Sequence, residues 1–163
     1  MKRLVIFSVL LICSLVLTTC NKDDDKTFNV LKITSGEFNG HTHSYSPNTG
    51  FWSPVNETVH QVHLVLGGTE NIVTDYENKM SIMLYYSGQQ TIDFPTPEGQ
   101  WVIFGLWIEG TLYYFHAEDA ALTIDRLDNT IFEGKLSGDF GDSYDDSRIT
   151  TVAMDIMVNL QEL

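Results

Sequence analysis

Thr130-Ile131-Phe132-Glu133-Gly134-Lys135-Leu136-Ser137-Gly138-Asp139-Phe140 is the stretch whose reading decides the fold. Phe132, Gly134, Leu136, Gly138 and Phe140 share one parity, and Glu133, Lys135, Ser137 and Asp139 share the other. A strand points successive side chains to opposite faces, so this pattern gives one dry face and one wet face. The last stretch repeats it, with Val152, Met154, Ile156, Val158 and Leu160 against Thr151, Asp155 and Asn159. From Thr27 to Leu163 no window keeps the spacing of an amphipathic helix for long.

Working outward, candidate strands run Phe28 to Thr34, Glu37 to Tyr45, Val59 to Leu66, Lys79 to Tyr86, Gln100 to Ile108, Thr111 to Ala117, Ala121 to Asp125, Thr130 to Asp139 and Ile149 to Leu160. Gly67-Gly68, Ser87-Gly88, Pro95 to Gly99, Glu109-Gly110 and Leu127-Asp128-Asn129 supply the turn chemistry between them. About eight or nine short strands with frequent turns predict an all-β domain, an antiparallel β-sandwich or a barrel-like fold.

The hairpin Gln100 to Ala117 is expected at its centre. A two-residue Glu109-Gly110 loop pairs Ile108 with Thr111, Leu106 with Tyr113, Gly105 with Tyr114 and Phe104 with Phe115. Both faces of Trp101 to Ile108 are apolar, so this strand is either buried on both sides or carries an exposed aromatic patch of Trp101 and Trp107, with Tyr114 beside them. Ser46 to Val55 reads as irregular, with Phe51-Trp52 between Pro47 and Pro54. Trp52 there is either a cap on the open end of the fold or a contact residue on a surface loop. Phe51, Trp52, Trp101, Trp107 and Tyr114 are the candidate binding residues.

Upstream of the domain, Lys2 and Arg3 precede an apolar run from Leu4 to Leu17, too short to span a membrane and placed as a signal peptide is. Leu17-Thr18-Thr19-Cys20 resembles the bacterial lipobox, departing from it only at Thr19, where Gly, Ala or Ser is usual. Asn21-Lys22-Asp23-Asp24-Asp25 resembles the export signal of Bacteroidota surface lipoproteins. The resemblance implies residues 1–19 as a cleaved signal, a lipidated Cys20, an acidic tether to Lys26 with Lys22, Asp23, Asp24 and Asp25 as the export signal, and a single domain over 27–163. Its implied address is the outer membrane, anchored through acyl chains on Cys20 and facing the cell exterior. Two or more such chains make attachment effectively stable. A second resemblance lies in Leu122-Thr123-Ile124-Asp125, Leu127 to Gly138 and the final strand, a pattern that recurs in small Bacteroidota lipoproteins with all-β domains. It implies fold and address and brings no active site with it.

Losing the signal removes Lys2 and Arg3 and no acid, which takes the formal charge from −13 to −15. Nucleic acid is excluded as a partner on that balance, because affinity for phosphate comes from Lys and Arg. The two cysteines are Cys13, inside the signal, and Cys20, at the lipid site, so the domain has no thiol for disulfides, zinc or nucleophilic attack.

The remaining chemistry is thin. His41 and His43 share a strand face and His60 and His63 point to opposite ones, which brings no zinc ligands together. Asp139, Asp142, Asp145 and Asp146 form a polar loop that is a weak calcium candidate; their spacing is not that of an EF-hand, and a solvated acidic turn fits better. No Gly-x-Ser-x-Gly motif and no obvious carboxylate pair is present. The expectation is a non-enzymatic binding module for a glycan or a protein partner, without cofactor. The alternatives are an accessory or structural subunit of an envelope complex and, less favoured, a hydrolase.

Overall fold

A computed structural model describes residues 27–71, 73–96 and 99–163. The signal peptide, Cys20 and the Lys22 to Asp25 tether lie outside the described residues. The domain is all-β: β1 (Val30–Ile33), β2 (Thr42–Ser44), β3 (Asn48–Pro54), β4 (His60–Leu66), β5 (Met80–Tyr86), β6 (Thr91–Phe94), β7 (Trp101–Ile108), β8 (Thr111–Leu127), β9 (Ile131–Asp142) and β10 (Asp145–Glu162). No helix among the described residues is long and apolar enough to cross a membrane.

Following hydrogen bonds from strand to strand gives β3, β4, β5, β7, β8, β9, β10 and then β3 again, so the sheet closes on itself. Of the two expected forms, the path is the barrel-like one. A ring of seven strands cannot be antiparallel throughout, because six reversals leave the seventh neighbour pointing the same way. That seam is β10 against β3, parallel, with Leu160, Gln161 and Glu162 opposite Gly50, Phe51 and Trp52. The β1–β2 hairpin continues the sheet from β10 at Val152 and Ala153, and β6 lies beside β8 at Ala120 to Thr123.

The interior follows from parity. Val62, Leu64, Met80, Ile82, Val102, Phe104, Leu106, Phe132, Leu136, Phe140 and the even residues from Val152 to Val158 all point in and are buried. Phe104 stacks on Phe115 at 5.0 Å and meets Phe140 at 5.2 Å, an aromatic centre across three strands.

The β7–β8 hairpin has the register read from sequence, Ile108 to Thr111 through Phe104 to Phe115. Glu109 and Gly110 both take positive φ, 51° and 83°, as a two-residue turn matched to strand twist demands. Several expectations change. Of Glu37 to Tyr45 only Thr42–Ser44 forms a strand, and Thr91–Phe94 adds one that was not expected. Ser46 to Val55 is not irregular: it holds β3, with Pro47 just before the strand and Pro54 as its last residue, positions where a missing N–H costs least. Thr111 to Leu127 is one strand rather than two, because a bulge between Ala117 and Asp119 switches the buried parity from Phe115 and Ala117 to Ala120, Leu122 and Ile124. The Asp139 to Ser147 stretch is a hairpin end and not a solvated loop, as Asp142 is 1% exposed.

The two barrel ends differ. At one, the β1–β2 connection lays Phe38 against Tyr113 at 4.6 Å and Phe115 at 6.1 Å. Arg148 sits against both rings, 5.9 Å from Phe38 and 5.2 Å from Tyr113, while its guanidinium pairs with Glu37 at 2.7 Å and with the buried Asp142. This end is stoppered. At the other end, where β3 and β5 finish, β4 begins and the β8–β9 turn lies, no such plug is formed by the described residues.

Candidate functional site

The open end holds a pocket of about 190 Å³ lined by Trp52 from β3, His60 and Val62 from β4, Tyr86 from β5, and Leu127, Asp128 and Asn129 at the β8–β9 turn. Pairing explains the convergence. Trp52 is opposite Val62 and His60 is opposite Tyr86, so residues of inward parity line the mouth side by side. The Trp52 and His60 rings lie 5.5 Å apart, tilted. Mouths of β-barrels are a common place for ligands because the wall is rigid and the opening is concave.

Asp128 is the charged group in this lining, and it is already engaged. Oδ1 accepts from the Thr130 hydroxyl at 2.6 Å, the Thr130 N–H at 2.9 Å and the Ile131 N–H at 3.0 Å. Oδ2 accepts from Arg126 Nη2 at 2.6 Å and Nε at 2.9 Å. The Thr130 hydroxyl, the Thr130 N–H and Arg126, in that order, hold its carboxyl well below the usual carboxylate range. By contrast, the Trp52 indole N–H, the His60 ring nitrogens, the Tyr86 hydroxyl and the Asn129 side-chain amide have no hydrogen-bond partner among the described residues.

The candidate residues do not gather into one site. Phe51 and Trp52 point to opposite sides of β3: Trp52 lines the mouth and packs partly buried against the core, while Phe51 is buried on the outer wall. Trp101 and Trp107 share the outer face of β7 at 37% and 42% exposure, and Tyr114 lies on the same face opposite Gly105. Between them the outer wall is covered. Tyr76 and Glu77 lie over it, with the Tyr76 carbonyl against the bare Gly105 and the Trp107 indole N–H donating to Glu77 Oε1 at 2.6 Å. The strand therefore divides the two readings its sequence allowed, covered in the middle and exposed at both tryptophans.

Also on that wall, His63 Nδ1 lies 3.0 Å from the Asn71 carbonyl and Nε2 lies 2.8 Å from Ser81 Oγ, while the Trp101 indole donates to Ser81 Oγ at 3.3 Å. A carbonyl can only accept, so His63 carries its proton on Nδ1 and accepts the Ser81 hydroxyl on Nε2. The pair has the spacing of a nucleophile and its base, but Ser81 is 1% exposed beneath Trp101 and has no approach for a substrate.

Of the calcium candidates, Asp142 and Asp145 pair with Arg148, Asp139 accepts from the Thr151 hydroxyl at 2.6 Å, and Asp146 is exposed. No three acidic, histidine or cysteine side chains among the described residues are arranged to hold a metal ion. His41, just outside β2, is at the stoppered end, and His43 packs edge-on against Tyr45 at 4.7 Å.

His60, Tyr86, Asp128 and Asn129 are the mouth residues the sequence reading missed as a group. Asp128-Asn129 was visible only as a turn, and nothing in the spacing of residues 60, 86 and 129 announces that three connections bring them together. Comparison with protein-family models, curated proteins and solved structures finds no match to this chain.

Proposed function

We propose that this chain is a lipid-anchored protein of the outer membrane whose β domain faces the cell exterior and acts as a non-enzymatic binding module for a glycan or protein partner. The observation that carries the binding part is the aromatic mouth: Trp52, His60 and Tyr86 rim a concavity at the end of the barrel opposite the Phe38–Arg148 stopper. The address rests on the lipobox-like Leu17 to Cys20 and the acidic run after it. The non-enzymatic reading is supported by what the mouth offers chemically, since its carboxylate is tied up in a turn and the Ser81–His63 pair is walled in elsewhere. A second reading, docking onto an envelope complex as an accessory subunit, is favoured by Trp101 and Trp107 on the outer wall.

Intact cells carrying the wild type, Cys20→Ala or Trp52→Ala decide it. Protease added outside should shave the wild-type domain from the cells, and the cells should retain at least one member of a fluorescent glycan panel. Cys20→Ala should lose both signals, and Trp52→Ala should keep the first and lose the second. A wild-type domain fully protected from protease would end the outward-facing address. Normal retention by Trp52→Ala would remove the mouth from the binding site.

A further inference from the structure

The mouth also says what kind of ligand it is built for. Resting on the binding-module reading above, we infer that it takes a single neutral sugar ring, stacked on Trp52 and hydrogen-bonded by uncharged groups, in preference to an anion or an organic cation. Asp128, the charge in the lining, satisfies its own turn and neutralises Arg126, so neither partner is left to pair with a charged ligand. Three of the groups without partners carry no charge, the Trp52 indole N–H, the Tyr86 hydroxyl and the Asn129 amide, and the His60 imidazole lies beside them.

A ligand matching that set has an apolar face for the indole and hydroxyl groups round its edge, which is the chemistry of a pyranose. An anion would find no lysine or arginine among the described residues that line the mouth and would approach a chain with formal charge −13. A quaternary ammonium could use the rings through cation–π attraction but would leave the free donors unpaired. Size restricts the ligand further. About 190 Å³ lies below the range of roughly 300–1,000 Å³ usual for drug-sized ligands, so one ring enters and a chain does not lie lengthwise. The mouth would accordingly read the end of a glycan.

The test uses full-length isotope-labelled protein and the indole N–H resonances of its three tryptophans, assigned with Trp→Phe variants. The probes are methyl glycosides of neutral hexoses and N-acetylhexosamines, the uronates of the same sugars, and tetramethylammonium. A neutral glycoside should shift the Trp52 resonance saturably, with Trp101 and Trp107 unmoved and with uronates about tenfold or more weaker. Asn129→Ala, on an exposed turn, and Tyr86→Phe, which keeps the ring, should each weaken that binding about three- to tenfold, as loss of one neutral hydrogen bond does.

A uronate or tetramethylammonium moving Trp52 as strongly as any neutral glycoside overturns the inference. So does a panel in which no neutral glycoside moves it. Glycosides that shift only Trp101 or Trp107 also overturn it, yet leave the binding-module reading standing on the outer wall. That reading falls separately, in the cell assay, if shaved cells and intact cells retain the glycan panel equally.

Discussion

Tyr45 is 3% exposed, and its hydroxyl is the buried side-chain polar atom among the described residues that lacks a hydrogen-bond partner. Burial pushes the phenol well above its usual range. Leaving such a group unpaired costs about 1–3 kcal/mol, so Tyr45→Phe, which keeps the ring contact to His43, should hold or raise stability by about 1 kcal/mol in denaturant melts. His63 makes the opposite point. Burial holds its imidazole below the ordinary 6.5, with the Asn71 carbonyl opposing the shift only in part. The unfolded chain therefore takes up a proton before the folded one does. Stability from this group is complete above about pH 6.5 and declines as pH falls from there toward the folded value. In melts across that range His63→Gln should flatten the slope, and His43, lowered by burial and by neighbouring His41, should account for part of what remains.

Among elements, the stopper is the most exposed to single changes. Arg148 neutralises Asp142, whose side chain is 2% exposed, while Glu37 brings the β1–β2 connection to the same guanidinium. Arg148→Met should lower the melting midpoint by stranding the buried carboxylate, and adding Asp142→Asn should recover a good part of it; equal losses in the single and double variants would mean the pairing is incidental. How much of this was legible divides by mechanism. Alternation gave β4, β5 and β7 to within a residue at each end and the body of β9 and β10, whose shared hairpin end it read as a loop, and the Glu109-Gly110 turn gave the register of β7 and β8 from Ile108 to Phe104. β3 was hidden because its prolines sit at the ends, where they read as breakers, and because Gly50 has no side chain to show parity where Leu160 packs close. β6 escaped for its brevity, with the Pro95 turn closing it after four residues. The split of β8 shows how one bulge residue, Glu118, imitates a loop in the pattern. The mouth was the least legible, since parity assigns each residue a face but only the order of strands round the ring assigns its neighbours.

At the scale of the molecule, closure leaves one core with no boundary across which the domain could part. The full-length protein should unfold in a single thermal transition detected alike by near- and far-ultraviolet circular dichroism. Reductant should leave the midpoint unchanged, because Cys13 and Cys20 both precede the domain. Two separated transitions would show that the β8–β9–β10 wall and the β3–β4–β5–β7 wall are independent units.

The parallel seam has a consequence for biosynthesis. Gly50 to Trp52 are made early and Leu160 to Glu162 more than a hundred residues later, so the strand that needs a neighbour waits for almost the whole chain to be translated. Until then the polypeptide cannot complete its ring, and the early strand β3 keeps one edge unpaired. The same three pairings hold Trp52 in place, and the Leu163 N–H donates to its carbonyl at 3.0 Å. The mouth thus comes into being last, when the closing strand finds its parallel neighbour.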